Sequence, residues 1–436
     1  MSKNTPTGSP APAEDNATSA DNAAPATGIA LAKNNTAPTD NNTSPAISRL
    51  ARLRSVMNKK GIDAYVVRNI SDLIWITGFE QVFDEELAHT AFITQDVCII
   101  HTDSRYSGSL RSEMERLLSQ SLSRSQNHQR NELPSSEVWQ IDDICTKNAK
   151  RISTADFVLA ALQESGFSQK AKVAFDENCP FKLYRSYKEK LTNYELIFCP
   201  SEILALREVK DEAEIEKLKA VQVCAEKGFL EVIETLHTGM TEQEIALKLE
   251  FTIRAAGAQS LSFPSIVAAG AHGANPHAQP SAYRIQRGDL IVFDFGAKKC
   301  GYCSDTTRVV CMGVPNKEQL RAYNAVKLAN SEVRKALSSQ KSGKQMHELS
   351  QEILANEGFE NLMGHALGHG VGIDIHENPT LSLRNEKQLS IGNVVTDEPG
   401  VYLNGKFGIR IEDCGVISAN GYENFCSLSH ELITLE

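Results

Sequence analysis

The chain has 436 residues, long enough for two domains, and 23% of them are charged, with a net charge of −10 at pH 7. Lys and Arg are scattered and no apolar run approaches the ~20 residues of a membrane span, so no nucleic-acid or membrane partner is expected. The composition is ordinary for an acidic soluble enzyme.

The cysteines and the N-terminus bear on the cellular compartment. Ten cysteines are dispersed along the chain, and most lie in apolar runs, for example Cys98 and Cys224. Such a pattern is typical of reduced, buried thiols in a cytoplasmic protein. The N-terminus lacks the apolar core of a secretory signal, and we therefore expect a cytoplasmic location.

The first 204 residues divide into a tail and a domain. Residues 1–45 are rich in Ala, Thr, Asn, Pro, Ser and Asp and have almost no large apolar side chains, which predicts a disordered tail. From Ile47 the apolar spacing predicts a helix that stops at Gly61. Strand-like and helical segments then alternate, which predicts an α/β domain over 46–204 with a polar surface loop at 119–136.

A second domain is predicted over 205–436, and it begins with helices. Residues 207–236 are expected to form a long helix at the boundary. Thr241 and Glu244 have the spacing of a capping box that opens the next helix. Further helices are predicted at 316–337 and 344–357, and 265–270 is expected to be a strand.

An apolar, strand-like run at 290–295 carries Asp294, and the chain returns as a second strand-like segment with Asp305. A hairpin centred between Lys299 and Cys300 would place the two acids directly opposite each other, with Cβ atoms ~4.5–5.5 Å apart. Two bare carboxylates at that distance repel, so one must take up a proton or both must share a cation. We interpret the pair as a divalent metal site for two ions.

A second predicted hairpin, centred on Gly405, repeats this arrangement. It places Glu398 opposite Glu412, and strand alternation puts Arg410 on the same face as Glu412. A single acid is commonly a solvated surface residue. Two opposed pairs inside apolar strands favour a shared cation instead, because a buried charge without a partner is costly.

Between the hairpins, the Gly-rich segment 364–379 contains His365, His369 and His376. One histidine alone would more often be a core residue than a ligand. Three of them beside glycine-rich backbone suit close approach of the chain to a site. We therefore predict a ligand set of four acids and one imidazole: Asp294, Asp305, His369, Glu398 and Glu412.

That set, in that order, resembles the metallopeptidase family with the pita-bread fold, which includes methionine aminopeptidase, Xaa-Pro aminopeptidase and prolidase. The resemblance covers roughly 206–436 and rests on five linked motifs, at 294–296, 303–308, 368–377, 397–402 and 408–413. The first half resembles, more weakly, the N-terminal domain of creatinase, prolidase and aminopeptidase P. The implied fold is an α/β creatinase-like N-terminal domain followed by an α+β pita-bread domain.

The resemblance also implies the metal chemistry. Asp294 would bind one ion and His369 the other, with Asp305 and Glu412 as bridges. Glu398 would bind the second ion and accept the proton of the water shared by the two metals as it attacks the peptide carbonyl. The oxygen-rich set suits Mn²⁺, with Co²⁺, Fe²⁺ or Zn²⁺ as substitutes.

On the substrate side, the resemblance assigns three histidines and one arginine. His376 would steady the tetrahedral oxyanion and His277 would help to hold the substrate. His365 would lie near the proline end of the substrate, and Arg410 would brace Glu412. His277 without the resemblance would be read as a loop histidine in solvent.

His365 and the creatinase-like N-terminal domain favour the proline-specific branch over methionine aminopeptidase. We therefore expect a dimeric Xaa-Pro aminopeptidase acting on peptides with proline at the second position. An Xaa-Pro dipeptidase (prolidase) is the alternative. A non-catalytic binding protein on the same fold is disfavoured, because all five liganding positions carry competent residues.

Overall fold

A computed structural model describes residues 45–84, 86, 88–125, 140–143 and 152–436. The disordered tail predicted for 1–45 lies outside these residues, apart from Pro45, which begins the first helix. The loop predicted at 119–136 also lies largely outside them. Its first part is wrong, because residues 119–125 belong to a helix, Ser107–Ser125. In that helix Leu110 is buried, and Met114, four residues later, packs against the same core.

A six-stranded sheet forms the centre of the first half, in the order β4-β3-β2-β1-β5-β6. Strand β2 is antiparallel to both of its neighbours, and the other pairs are parallel. The strands are β1 (Ala64–Val67), β2 (Thr90–Ile93), β3 (Cys98–Thr102), β4 (Gln140–Asp143), β5 (Lys172–Asp176) and β6 (Glu195–Cys199). The helices are α1 (Pro45–Lys60), α2 (Ile70–Thr77), α3 (Ser107–Ser125), α4 (Thr154–Glu164), α5 (Phe181–Lys190) and α6 (Glu202–Arg207).

Both faces of this sheet are covered, because alternate residues of β1 enter different cores. Tyr65 and Val67 pack with the α1 side chain Leu53, whereas Val66 packs with Phe157 of α4. This is the burial expected of an α/β sheet with helices on both sides, and it confirms the predicted class of the first half.

Two capped helices follow. The long helix predicted from 207 is α7 (Glu212–Ile233), which begins five residues later. It starts there because Asp211 and Glu214 form a capping box with each other's backbone N–H. The predicted capping box of Thr241 and Glu244 is confirmed and opens α8 (Glu242–Ala255). The two later helices are also confirmed, as α9 (Lys317–Ala336) and α10 (Gly343–Asn356).

The second half also contains small sheets that are antiparallel except for the pairing of β12 with β20, which is parallel. Three of the sheets have the orders β11-β10-β7, β20-β12-β9-β8 and β14-β13-β15-β18-β19, and β16 pairs with β17. The strands are β7 (Ser260–Leu261), β8 (Ile266–Ala269), β9 (Leu290–Phe295), β10 (Ala297–Lys299), β11 (Tyr302–Cys303), β12 (Thr306–Met312), β13 (Gly368–Gly370), β14 (Glu377–Leu381), β15 (Val394–Asp397), β16 (Gly400–Leu403), β17 (Phe407–Arg410), β18 (Asp413–Ser418), β19 (Gly421–Asn424) and β20 (Ile433–Leu435).

The predicted centre of the first hairpin, between Lys299 and Cys300, is wrong by one residue, because the centre lies between Cys300 and Gly301. Its two-residue turn is Cys300-Gly301, and both residues have positive φ, +52° and +79°. Asp294 is therefore opposite Thr307, not opposite Asp305. The two acids are diagonal neighbours on the same face of the hairpin.

The register of the second hairpin is confirmed. Gly400 pairs with Arg410 on one side of the acid pair, and Asp397 pairs with Asp413 on the other. Glu398 and Glu412 lie between these two pairs and are therefore opposite each other. The backbone N–H of Glu412 donates to the Thr307 carbonyl at 3.1 Å, which joins the two hairpins directly.

The two halves share an apolar core. Trp75 of the first half lies in the same buried cluster as Tyr302 and Val371 of the second. The predicted boundary at 204 falls inside α6. Of the helices that the structure describes, none combines the length and the apolar character needed to cross a lipid bilayer.

Candidate metal centre

The five predicted ligands converge on one centre. Ligand atoms of Asp305, His369 and Glu412 all lie within 4.8 Å of one another. His369 Nε2 is 3.5 Å from Asp305 Oδ2 and 3.5 Å from Glu398 Oε1. Asp294 is opposite Thr307, whose hydroxyl donates to Glu412 Oε2 at 2.6 Å, and this places Asp294 beside the same group.

Close backbone approach brings the histidine strand to the acids. The Thr396 hydroxyl accepts the backbone N–H of His369 at 3.0 Å and lies two residues before Glu398. A Cβ at Gly368 would fall 2.2 Å from the Thr396 carbonyl oxygen, so only glycine lets β13 lie this near β15. The Gly-rich sequence around His369 thus has the role that its composition predicted.

The electrostatics of the centre favour a bound cation. Burial, followed by repulsion from neighbouring carboxylates, holds the pKa of Asp305 and of Glu412 well above the usual range. Burial also raises the pKa of Glu398 to about 8. Oδ1 of Asp294 and Oδ1 of Asp305 are buried, and neither finds a hydrogen-bond donor among the described residues. Unpaired buried carboxylate oxygens of this kind fit divalent cations as ligands.

The imidazole is also in the form that a metal requires. Burial lowers the pKa of His369 to about 4, so the ring is neutral at physiological pH. His369 Nδ1 lies 3.1 Å from the Gly370 carbonyl oxygen, which as an acceptor keeps the proton on Nδ1 and leaves Nε2 facing the acids. The predicted ligands therefore fit the divalent metal ions that they were predicted to hold.

Arg410 supports the acids from behind, partly through a residue that sequence reasoning missed. Its guanidinium donates to Asp294 Oδ2 and, at 3.0 Å, to Thr307 Oγ1. Thr307 in turn donates to Glu412 Oε2 at 2.6 Å. The predicted support of Glu412 thus runs through Thr307, whereas the direct contact is with Asp294. The correct hairpin register, with Thr307 opposite Asp294, was the signal that could have identified this threonine.

The other histidines border the same centre. The His376 ring is exposed and contacts the His369 ring, with centroids 4.4 Å apart. His365 Nε2 lies 3.0 Å from the hydroxyl of Tyr402, which also accepts a hydrogen bond from Arg410 at 2.7 Å. Tyr402 is a second residue that sequence reasoning missed.

His277 is exposed but close to this group. The carbonyl of Pro276, the preceding residue, accepts a hydrogen bond from Arg410 at 3.4 Å. Burial lowers the pKa of both His365 and His376, and the nearby His277 adds to each shift. The loop that carries His277 therefore borders the group formed by the other predicted site residues.

Asp397, in contrast, lies on the other face of its strand. This acid directly precedes Glu398 in the sequence, but its carboxylate accepts from Asn330 of α9 at 3.2 Å. It is fully buried, and burial together with Asp413 raises its pKa well above the usual range. Adjacent acids at 397 and 398 are thus separated by strand alternation.

Metal-free protein is expected to melt at a lower temperature at pH 8 than at pH 6. The pKa of Glu398 is raised to about 8, and the pKa values of Asp305 and Glu412 are raised well above the usual range. Between pH 6 and pH 8 the folded chain therefore holds more protons on these acids than the unfolded chain does. Stability then falls as pH rises. Thermal melts in EDTA and in saturating Mn²⁺ would check this, since bound cations should remove most of the difference. A metal-free melting temperature that rises from pH 6 to pH 8 would contradict it.

Comparisons with known proteins agree with this geometry. The model of metallopeptidase family M24 matches residues 216–419, which include every predicted site residue. The model of the creatinase/prolidase N-terminal domain matches residues 49–209. The chain is 31% identical over 388 residues to the uncharacterized peptidase YqhT of Bacillus subtilis (strain 168), an alignment that covers 89% of this chain and 100% of YqhT.

Solved structures show the same similarity. The X-Pro aminopeptidase of Thermotoga maritima MSB8 superposes with a TM-score of 0.75 at 31% identity, covering 89% of this chain and 100% of that one. The Xaa-Pro dipeptidase of Bacillus anthracis gives a TM-score of 0.76 at 29% identity, again over 89% and 100%. These matches confirm the predicted fold class, a creatinase-like N-terminal domain followed by a pita-bread domain.

Proposed function

The chain belongs to metallopeptidase family M24 and is a hydrolase, and on that premise we propose that it is an Xaa-Pro aminopeptidase. The observation that carries the proposal is the buried cluster of acids around His369, in which two carboxylate oxygens have no donor among the described residues. The family implies divalent metal ions, and we propose two Mn²⁺ ions held by Asp294, Asp305, His369, Glu398 and Glu412. Bound cations of this kind supply Lewis acidity and lower the pKa of water.

The protein's own groups would do the rest of the chemistry. Glu398 is assigned to accept the proton of the attacking water, and its pKa of about 8 in the metal-free chain lies near the range suited to a general base. His376, in ring contact with His369, would donate to the developing oxyanion. Arg410 and Thr307 would hold Asp294 and Glu412 in place.

The substrate would be recognised beside Tyr402. His365 is half-buried, burial lowers its pKa to about 4, and the Tyr402 hydroxyl lies within hydrogen-bond distance of its Nε2. A neutral imidazole and a phenol ring offer apolar surface to a proline ring without placing a charge beside it. We propose that His365 and Tyr402 contact the proline end of the substrate and that His277 contacts it from the opposite loop.

Ala-Pro-Ala is expected to be cleaved between alanine and proline with a kcat/KM at least ~10-fold above that of Ala-Pro, because the third residue adds binding energy worth ~1.4 kcal/mol. Parallel assays with added Mn²⁺ and chromatographic product identification would measure this, with Ala-Ala-Ala as the control that lacks proline. The reverse preference would favour the dipeptidase that the Bacillus anthracis relative is named for. Absence of turnover on all three, with metal bound, would favour the binding-protein alternative.

Further parts of the proposal rest on the sequence pattern and, for the dimer, on the family resemblance. We propose a cytoplasmic homodimer with domains at 46–204 and 205–436. A chain that sediments as a monomer at micromolar concentration would contradict the dimer. Activity restored better by Zn²⁺ than by Mn²⁺ would contradict the choice of metal.

A further inference from the structure

A buried ionic network connects the first half of the chain to the candidate metal centre. Arg207, only 2% exposed, donates from Nη1 to Asp72 of α2 at 2.8 Å and from Nη2 to Asp374 at 2.7 Å. The same Nη2 donates to Glu377, whose other carboxylate oxygen accepts from Lys210 at 3.0 Å. The network thus has members on α2, at the end of α6 and on both sides of His376.

The acids of the network close the loop that carries His376. Glu377 pairs with Gly370 across β13 and β14, so residues 371–376 form a short loop whose base is this pair. The Glu377 carboxylate also accepts the backbone N–H of Asp374 at 3.0 Å, across the loop. A Cβ at Gly372 would lie 2.5 Å from that carboxylate, so the loop folds directly against it. His369 directly precedes Gly370, and His376 directly precedes Glu377, the two residues at the base of the loop.

A second side-chain contact joins the first half of the chain to the 371–377 loop. The hydroxyl of Ser71, in α2, donates to Asp374 Oδ1. The neighbouring Asp72 accepts both Arg207 and, at 2.8 Å, the Ser201 hydroxyl. Glu377 is fully buried, and although burial alone would raise its pKa, Lys210 and Arg207 hold that pKa below the usual value. The Glu377 charge is therefore paired at neutral pH, whereas burial raises the pKa of Asp72 against the effect of Arg207.

Buried ion networks seldom stabilise a fold more than apolar side chains of equal volume would. This network is better explained by the geometry that it imposes, because a guanidinium donates its hydrogen bonds only in fixed directions. We propose that Arg207 is a positioning residue, which uses Asp72 of the N-terminal half to hold the 371–377 loop and thereby sets His376 against His369. The proposal rests on the proposed function for its kinetic readout only.

The test compares Arg207→Lys with Arg49→Lys. Arg49 is a matched control, since it is 3% exposed, pairs with Asp211 at 2.8 Å and lies in a different network between the two halves. Hydrogen exchange of the backbone amides at 371–377 gives a readout that needs no substrate. We expect Arg207→Lys to speed exchange at Asp374 at least ~10-fold, and Arg49→Lys to leave it at the wild-type rate.

The kinetic arm uses Ala-Pro-Ala hydrolysis by the metal-loaded protein. Arg207→Lys is expected to lower kcat ~10–100-fold with KM changed less than ~3-fold, because a misplaced catalytic group costs rate more than binding. In a His376→Ala background the same substitution should lower kcat less than ~2-fold, since the two residues act as one unit. Asp72→Asn, which keeps the side-chain shape, should reproduce the exchange result if Arg207→Lys does not fold.

The outcomes separate the two proposals. If wild-type protein hydrolyses none of the peptides, the proposed function fails, while hydrogen exchange still decides whether Arg207 holds the loop. If both arginine variants speed exchange at Asp374 equally, Arg207 has a general structural role and the positioning proposal is overturned. It is also overturned if Arg207→Lys lowers kcat by the same factor with and without His376.

Discussion

Asp305→Asn is expected to lower kcat/KM on Ala-Pro-Ala by at least ~10³-fold, equivalent to ~4 kcal/mol of transition-state stabilisation. Asp305 is 4% exposed, its Oδ1 has no donor among the described residues, and Oδ2 lies 3.5 Å from His369. An amide keeps the shape but supplies neither the charge nor the second ligand oxygen of a bridging carboxylate. The variant should therefore also retain fewer metal ions after dialysis, as elemental analysis would measure.

Two comparisons keep this result specific to the metal centre. Asp96→Asn changes an exposed acid in the turn between β2 and β3 and should leave activity and metal content at wild-type values. Metal-free Asp305→Asn should melt no lower than metal-free wild type, because it removes one of several mutually repelling acids. Unchanged hydrolysis and metal content in Asp305→Asn would show that this residue does not bridge the ions.

Glu398→Gln and Asp397→Asn are expected to differ by about three orders of magnitude in kcat, although the residues are adjacent. Glu398 faces His369 at 3.5 Å and is assigned both a metal and the proton of the attacking water. Losing a general base alone costs ~10²–10⁴-fold in rate. Asp397 faces Asn330 instead, and its raised pKa means that a neutral amide closely resembles its protonated state.

Steady-state assays of both variants at saturating Mn²⁺ would measure this contrast. We expect Asp397→Asn to stay within ~3-fold of wild type in kcat, because its side chain bonds Asn330 on the other face of the strand. Equal losses of kcat in the two variants would mean that Asp397 and Glu398 do not differ in role, although they lie on opposite faces of the strand. Glu398→Gln with full activity would remove its assignment as the base.

The acids and histidines of the site could be predicted from sequence because they lie in strongly patterned hairpins and a Gly-rich segment. The second hairpin was placed correctly, since Asn404-Gly405 marks its turn. The first was placed one position early, because its turn uses Cys300 at φ +52°, a conformation that cysteine seldom adopts and its sequence does not signal. Residue pairing along a hairpin depends on its turn, so one misplaced turn changes every opposed pair.

The supporting residues could not be predicted in this way. Thr307 and Glu412 are 105 positions apart, and Arg207 and Glu377 are 170 apart. Neither pair shares a helix or strand, so no local spacing relates its members. Tyr402 likewise becomes relevant only once His365 and Arg410 are seen to share its hydroxyl. Local pattern indicates which residues carry chemistry, whereas the residues that hold them depend on tertiary packing.

We propose that five side chains from two hairpins and β13 hold a pair of cations, and anomalous diffraction from crystals grown with Mn²⁺ tests this most directly. We predict two manganese peaks per chain, both in contact with Asp305 and Glu412, with Asp294 on one ion and His369 and Glu398 on the other. Crystals without manganese at this centre, or with these five side chains bound to no common pair of ions, would contradict it.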